Sequence, residues 1–248
     1  MPPTTEFANA ADNAADGFSL APDLPPGMVP FGAAELELIA SLPTGEAADA
    51  CRRRLALQDV QMSAEVRQAA ASSLAARGLI TEIQGGEFVP AHAALATTYL
   101  MEHATHLLGF SLLRGEAEVG SALVITGDAG TLVLEAAPIG SFRVGVIDAD
   151  MPIQDFIWDL LEEHLTLAED AIVSIEASEA VADAATRALA VRQVTGPSIA
   201  AAGTNALRAE TDGGQQYEIA DGAGAVTGPL SADELDEHLE HWLGFSAE

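Results

Sequence analysis

The chain has 248 residues, of which 38 are Asp or Glu and 10 are Arg, with no Lys, giving a formal charge of −28. Such a surface repels polyanions, because affinity for nucleic acid comes largely from Lys and Arg displacing counterions; an anionic membrane is disfavoured for the same reason. With 49% apolar residues the chain can bury a core as one large domain or two small ones, and the single cysteine, Cys51, excludes an intramolecular disulfide.

Cys51 stands next to Arg52, Arg53 and Arg54, neighbours that could lower a thiol pKa, but no His lies near it in sequence. It therefore reads as a half-buried helical thiol. No apolar run approaches the ~18 residues of a membrane span, and the N-terminus lacks the positive start of a signal peptide, so a cytoplasmic protein is expected. Arg in place of Lys and an abundance of Ala fit a high-GC bacterial source.

Residues 1–30 hold six of the prolines and few large apolar side chains, and read as a flexible acidic tail in which Phe18 and Leu20 are candidate docking residues. The spacing of Leu36, Ile39 and Leu42 predicts a first helix over Ala33–Leu42. A second follows over Ala47–Leu57, and a third over Ala64–Arg77 with Ser63 as N-cap and Gly78 as C-terminal stop. LITEI, then Gly85-Gly86, then EFVP predicts a hairpin, so residues 31–115 have a winged-helix-like outline. His92 to about Leu113 reads as one longer helix. Ala122–Ala149 predicts three antiparallel strands, and PIQDFIWDLLEEHL a helix. Ala171–Ala177 reads as a strand and Ser178–Gln193 as an Ala-rich helix. ALRAET, QQYEIA and AVTG predict short strands, and Ser231 with Glu234 a capping box that opens a last helix. Residues 116–248 thus hold two possible β-β-β-α half-repeats, Ala122–Leu165 and Ala206–Leu243, whose strands are too short to stand alone and so share a sheet. The expected class is α+β, an antiparallel sheet flanked by helices, with 31–248 allowed as one domain.

No catalytic pattern emerges. His103 with His106, His238 with His241, and His164 after Glu162 and Glu163 could be imagined as metal ligands, but no Cys or His-Glu-x-x-His spacing supports that, and no cofactor or metal is expected. DGAGAVTG lacks the spacing of a dinucleotide loop and reads as a hairpin turn. The DNA-reading alternative is a winged-helix transcription regulator with an acidic C-terminal effector domain. It would rest on Arg52, Arg53, Arg54, Arg67, Gln68 and Arg77, yet between Phe31 and Pro90 five Arg face eight acidic residues. Protein binding is the remaining class. The 122–146 meander, with Val144 and Val146, and the helix carrying Phe156 and Trp158 supply more apolar surface than one helix face buries.

The order ELELIASLP, CRRRLALQD, a helix ending SSLAARGLI, then hairpins and a terminal acidic helix resembles the EspG family over most of Val29–Leu243. The resemblance implies a cytosolic, non-enzymatic chaperone of actinobacterial type VII secretion that keeps a helical client pair soluble. It also implies two related halves sharing one antiparallel sheet. The tail before Met28 and the stretch Met101–Leu113 depart from that pattern.

Overall fold

The computed structural model describes residues 28–57, 60, 62–82, 87–115, 117–128, 130–137, 140–147, 153–165, 171–181, 185–193, 216–223 and 225–243. In chain order these give β1 (Val29–Gly32), α1 (Ala33–Ala40), α2 (Glu46–Arg54), α3 (Ala64–Ala76), β2 (Ile80–Glu82), β3 (Phe88–Pro90) and α4 (His92–Glu102). Then come β4 (His106–Arg114), β5 (Ala117–Gly127), β6 (Gly130–Ala137), β7 (Ser141–Ile147) and α5 (Ile153–Leu165). The chain closes with β8 (Ala171–Glu179), β9 (Arg187–Gln193), β10 (Tyr217–Asp221), β11 (Val226–Leu230) and α6 (Ala232–Leu243).

The fold is α+β. Nine strands form one antiparallel sheet in the order β1-β7-β6-β5-β4-β8-β9-β10-β11, and β2–β3 form a separate hairpin. The order exposes the internal repeat. A four-strand meander, β4 to β7, is followed by α5, and a second meander, β8 to β11, is followed by α6. The first strands of the two meanders pair antiparallel from His106↔Glu179 to Arg114↔Ala171, so an approximate two-fold relates the halves across the β4–β8 seam. Each half-repeat has four strands rather than the three expected from sequence.

Two stretches expected to be helical are strands. Past Glu102, residues His106–Arg114 are β4, not the end of a long helix. The leucines and Phe110 of HLLGFSLLR do not alternate with polar residues because β4 lies at the sheet centre, with Leu107 in one core and Leu108 and Phe110 in the other. Likewise Arg187–Gln193 of the expected Ala-rich helix is β9, paired with β8 and β10. The boundary drawn at residue 115 falls in the β4–β5 hairpin, whose strands pair from His106↔Thr126 to Arg114↔Ala117. The expected strand ALRAET, the turn Gly85-Gly86 and the tail residues 1–27 lie outside the described residues.

Successive residues of a strand point to opposite faces, so the sheet carries two cores. On the first face, α1–α4 pack Leu36, Ile39, Cys51, Leu74 and Met101 over Leu107, Leu123, Ile125, Leu132, Leu134 and Val144. On the second, Ile157, Leu161 and Leu165 of α5 and Leu235, Leu239 and Leu243 of α6 cover Val124, Phe110, Val173, Ile175, Val191 and Ile219. The four N-terminal helices therefore lie over the β1–β4 half of one face, and α5 and α6 over the other face. Both edge strands carry a proline, Pro30 in β1 and Pro229 in β11, which removes a backbone donor from each edge and discourages edge-to-edge pairing. Among the described residues no helix is long and apolar enough to cross a membrane.

Candidate protein-binding face

Strand β8, AIVSIEASE, alternates without a break: Ala171, Val173, Ile175 and Ala177 are buried, and Ile172, Ser174, Glu176 and Ser178 are half-buried. In β9, Leu189 and Val191 face the α5–α6 core while Ala188, Ala190 and Arg192 face the other way. No described helix packs on this second set. A sheet with one packed and one open face is ordinary; the side chains on this one are informative.

The register places Ser121 opposite Ser111, Ser111 opposite Ser174, Ser174 opposite Ala190, and Ala190 opposite Ala220. A row of five small side chains thus crosses β5, β4, β8, β9 and β10 at right angles to the strands. At ~4.8 Å per strand the row is about 19 Å long, enough to seat roughly a dozen helical residues at 1.5 Å each. Its flanks are taller. On one side stands the Arg54–Glu176 ion pair; on the other lies Arg192–Glu218, with both side chains largely buried and Nη2 3.0 Å from Oε2. At the β5 end the row runs into a cleft of about 280 Å³ walled by Arg54, Leu55, Phe142 and Ala136. A second cleft of about 310 Å³, lined by Ala50, Arg53, Arg54, Ser178, Val181 and Thr186, opens on the other side of Arg54.

Arg54 is a post between the two clefts, and Gly109 is its seat. A Cβ on Gly109 would sit 2.6 Å from the Arg54 Nη2, so only glycine lets the guanidinium lie flat on β4 and reach Glu176. The helix that carries Arg54 is anchored from behind: Cys51 is buried, its Sγ 3.9 Å from the Met101 carbonyl that accepts its S–H. Burial pushes the Cys51 thiol from 9.0 up to about 12, so its three arginine neighbours do not activate it.

The residues expected to meet DNA are dispersed. Arg52 binds Glu37 at 2.7 Å; Arg77 binds Glu35 at 3.0 Å and also donates to the Pro30 carbonyl, with its guanidinium 5.4 Å from the Phe31 ring centre. Arg54 is committed to Glu176. Arg53, Arg67 and Gln68 are exposed, the last within 3.5 Å of the Ser72 hydroxyl. Among the residues expected to bind protein, Val144 is 1% exposed and packs in the α1–α4 core, whereas Val146 is 54% exposed. Phe156 and Trp158 are half-buried against the α5–α6 core, Trp158 edge-on to Tyr217 at 5.8 Å, so neither is a free anchor.

The histidines do not converge. His103 caps α4 and stacks on Tyr99, His106 lies on β4, and His164 is buried with Nε2 3.2 Å from the Leu113 carbonyl. Among the described residues no three His, Cys, Asp or Glu side chains form a set able to hold a metal. Asp221 closes the β10–β11 turn by accepting from the Ala223 and Ala225 amides at 3.0 and 2.8 Å, so DGAG is a hairpin turn. Sequence reading missed the small-residue row because it exists only in the strand register. The alternation in β8 was the one available signal.

No known protein family's model matches the chain, and no curated protein matches it significantly.

Proposed function

We propose that this protein performs no chemistry and binds another protein, as a cytosolic chaperone of the EspG kind that keeps a helical client pair soluble during type VII secretion. The observation that carries the reading is the row Ser121–Ser111–Ser174–Ala190–Ala220, of helix length, on a sheet face that no described helix covers along this row. Small side chains let a helix backbone approach closely, and the flanking ion pairs supply a polar rim. The two-half sheet described above agrees with what the resemblance implies. Against the DNA-reading alternative, Arg52, Arg54 and Arg77 are spent on carboxylates of the same chain.

The test is purification of the tagged full chain from its source cells with nuclease treatment, at 0.1 and then 0.5 M salt. A helical polypeptide recovered in stoichiometric amount at both salt concentrations supports the reading, since an apolar interface changes little with salt. Recovery of DNA that is lost steeply as salt rises contradicts it.

A further inference from the structure

Helix α4, HAALATTYLME, buries Ala94, Thr97, Thr98, Leu100 and Met101 against the fold. Its opposite face is exposed although it is not polar. Leu95 is 51% and Tyr99 50% exposed, and a spacing of four residues sets them side by side on that outer face. His92 and Glu102, both exposed, stand at the two ends of the same face. The His103 ring stacks on Tyr99 at 4.3 Å, and its Nδ1 lies 2.9 Å from the Tyr99 carbonyl, so Tyr99 is braced by its own helix end. Alongside, Ala96 and Val146 of β7, the latter 54% exposed, share an apolar cleft of about 310 Å³.

The order of these side chains is self-complementary. Thr97 is the midpoint of both Leu95–Tyr99 and His92–Glu102. When two copies of α4 lie antiparallel about a two-fold at Thr97, Leu95 of each meets Tyr99 of the other, and His92 of each meets Glu102 of the other. An imidazole N–H then donates to a carboxylate at each rim of an apolar strip. Charge points to the same face. Two chains of −28 repel each other least where carboxylates are scarce, and Glu102 is the only acidic residue of α4.

We propose that the outer face of α4 is a self-association surface on which a second copy of this chain docks, its own α4 antiparallel and related by a two-fold. At 1.5 Å per residue α4 is only about 16 Å long, too small for the ~800 Å² per partner of a standard interface, so the dimer is weak and forms as concentration rises. The surface shares no residue with the small-residue row, and the two readings stand or fall separately.

The experiment is sedimentation equilibrium of the full chain from about 5 to 500 µM at two salt concentrations. The weight-average mass should climb from 25.6 kDa towards twice that value. Raising NaCl from about 0.05 to 0.5 M should tighten the dimer, because salt screens the repulsion between two acidic chains. Leu95→Glu with Tyr99→Glu, at half-exposed positions, should abolish association over this range while the circular dichroism melt stays cooperative. His92→Glu sets two like-charged pairs across the two-fold and should weaken the dimer about tenfold; adding Glu102→His to the same chain should recover the affinity. A mass fixed at 25.6 kDa throughout overturns the proposal. So does association that survives the Leu95 and Tyr99 substitutions, which places the contact elsewhere, or a His92→Glu/Glu102→His chain as weak as His92→Glu alone. A chain that is monomeric by itself, yet loses a captured protein on Tyr99→Glu, gives the face to another partner and overturns it equally.

Discussion

At the residue scale, Gly109 and Cys51 show how single atoms set the candidate face. Gly109→Ala forces the Arg54 guanidinium off β4, because the new Cβ would fall 2.6 Å from Nη2. The bridge to Glu176 is largely solvent-facing, so chemical denaturation should show a loss of no more than about 1 kcal/mol. The clefts on either side of Arg54 change shape, and client affinity should fall by more than stability does. For Cys51 the sign follows from a folded-state pKa of about 12 against 9.0. The folded state resists ionisation, so its contribution to stability is constant below pH 9 and declines between pH 9 and 12 by about 1.4 kcal/mol per unit. Cys51→Ala removes that alkaline slope, which pH-dependent urea midpoints of the two proteins would reveal.

At the element scale, the two faces of β9 make the sharpest contrast. Val191 lies in the α5–α6 core and its neighbour Ala190 lies in the small-residue row. Val191→Asp buries an unpaired charge and should destabilise by more than about 4 kcal/mol, whereas Ala190→Asp should leave the melting temperature within a few degrees. Circular dichroism melts of the two variants check both. The same strand shows where legibility stopped. RALAVRQ is rich in Ala, a strong helix former, and its alternation of small and larger side chains is weak; strand pairing with β8 and β10 overrides the local propensity. HLLGFSLLR misled for another reason: with Leu107 packed in one core and Leu108 and Phe110 in the other, it shows no clean period of two. Elements with their own punctuation were readable. Ser63 caps α3 by accepting from the Val66 amide at 3.2 Å, and Ser231 and Glu234 form the capping box of α6. The half-repeats were legible as an order of elements, but β4 and β9, the strands that complete them, were not.

At the scale of the whole molecule, the charge of −28 and the shared sheet set opposing terms. Carboxylates repel one another over the surface, and salt screens them, so raising NaCl from 0.05 to 0.5 M should stabilise by about 1 kcal/mol, or ~2–4 °C in a thermal melt. A melt unchanged by salt would mean that local ion pairs dominate instead. The seam between the halves is held by β4 against β8, where Phe110 is buried between α5 and the sheet. Phe110→Ala should cost about 3–5 kcal/mol. The central claim is that the small-residue row across β5, β4, β8, β9 and β10 receives a helix of another protein. Its most direct test is recovery of the stoichiometric partner by the full chain, by Ala190→Asp, and by Val119→Asp at an exposed site outside the row. The account predicts that the Val119 variant recovers the partner like the unaltered chain and that the Ala190 variant, folded, recovers at least tenfold less. Equal recovery by all three would contradict it.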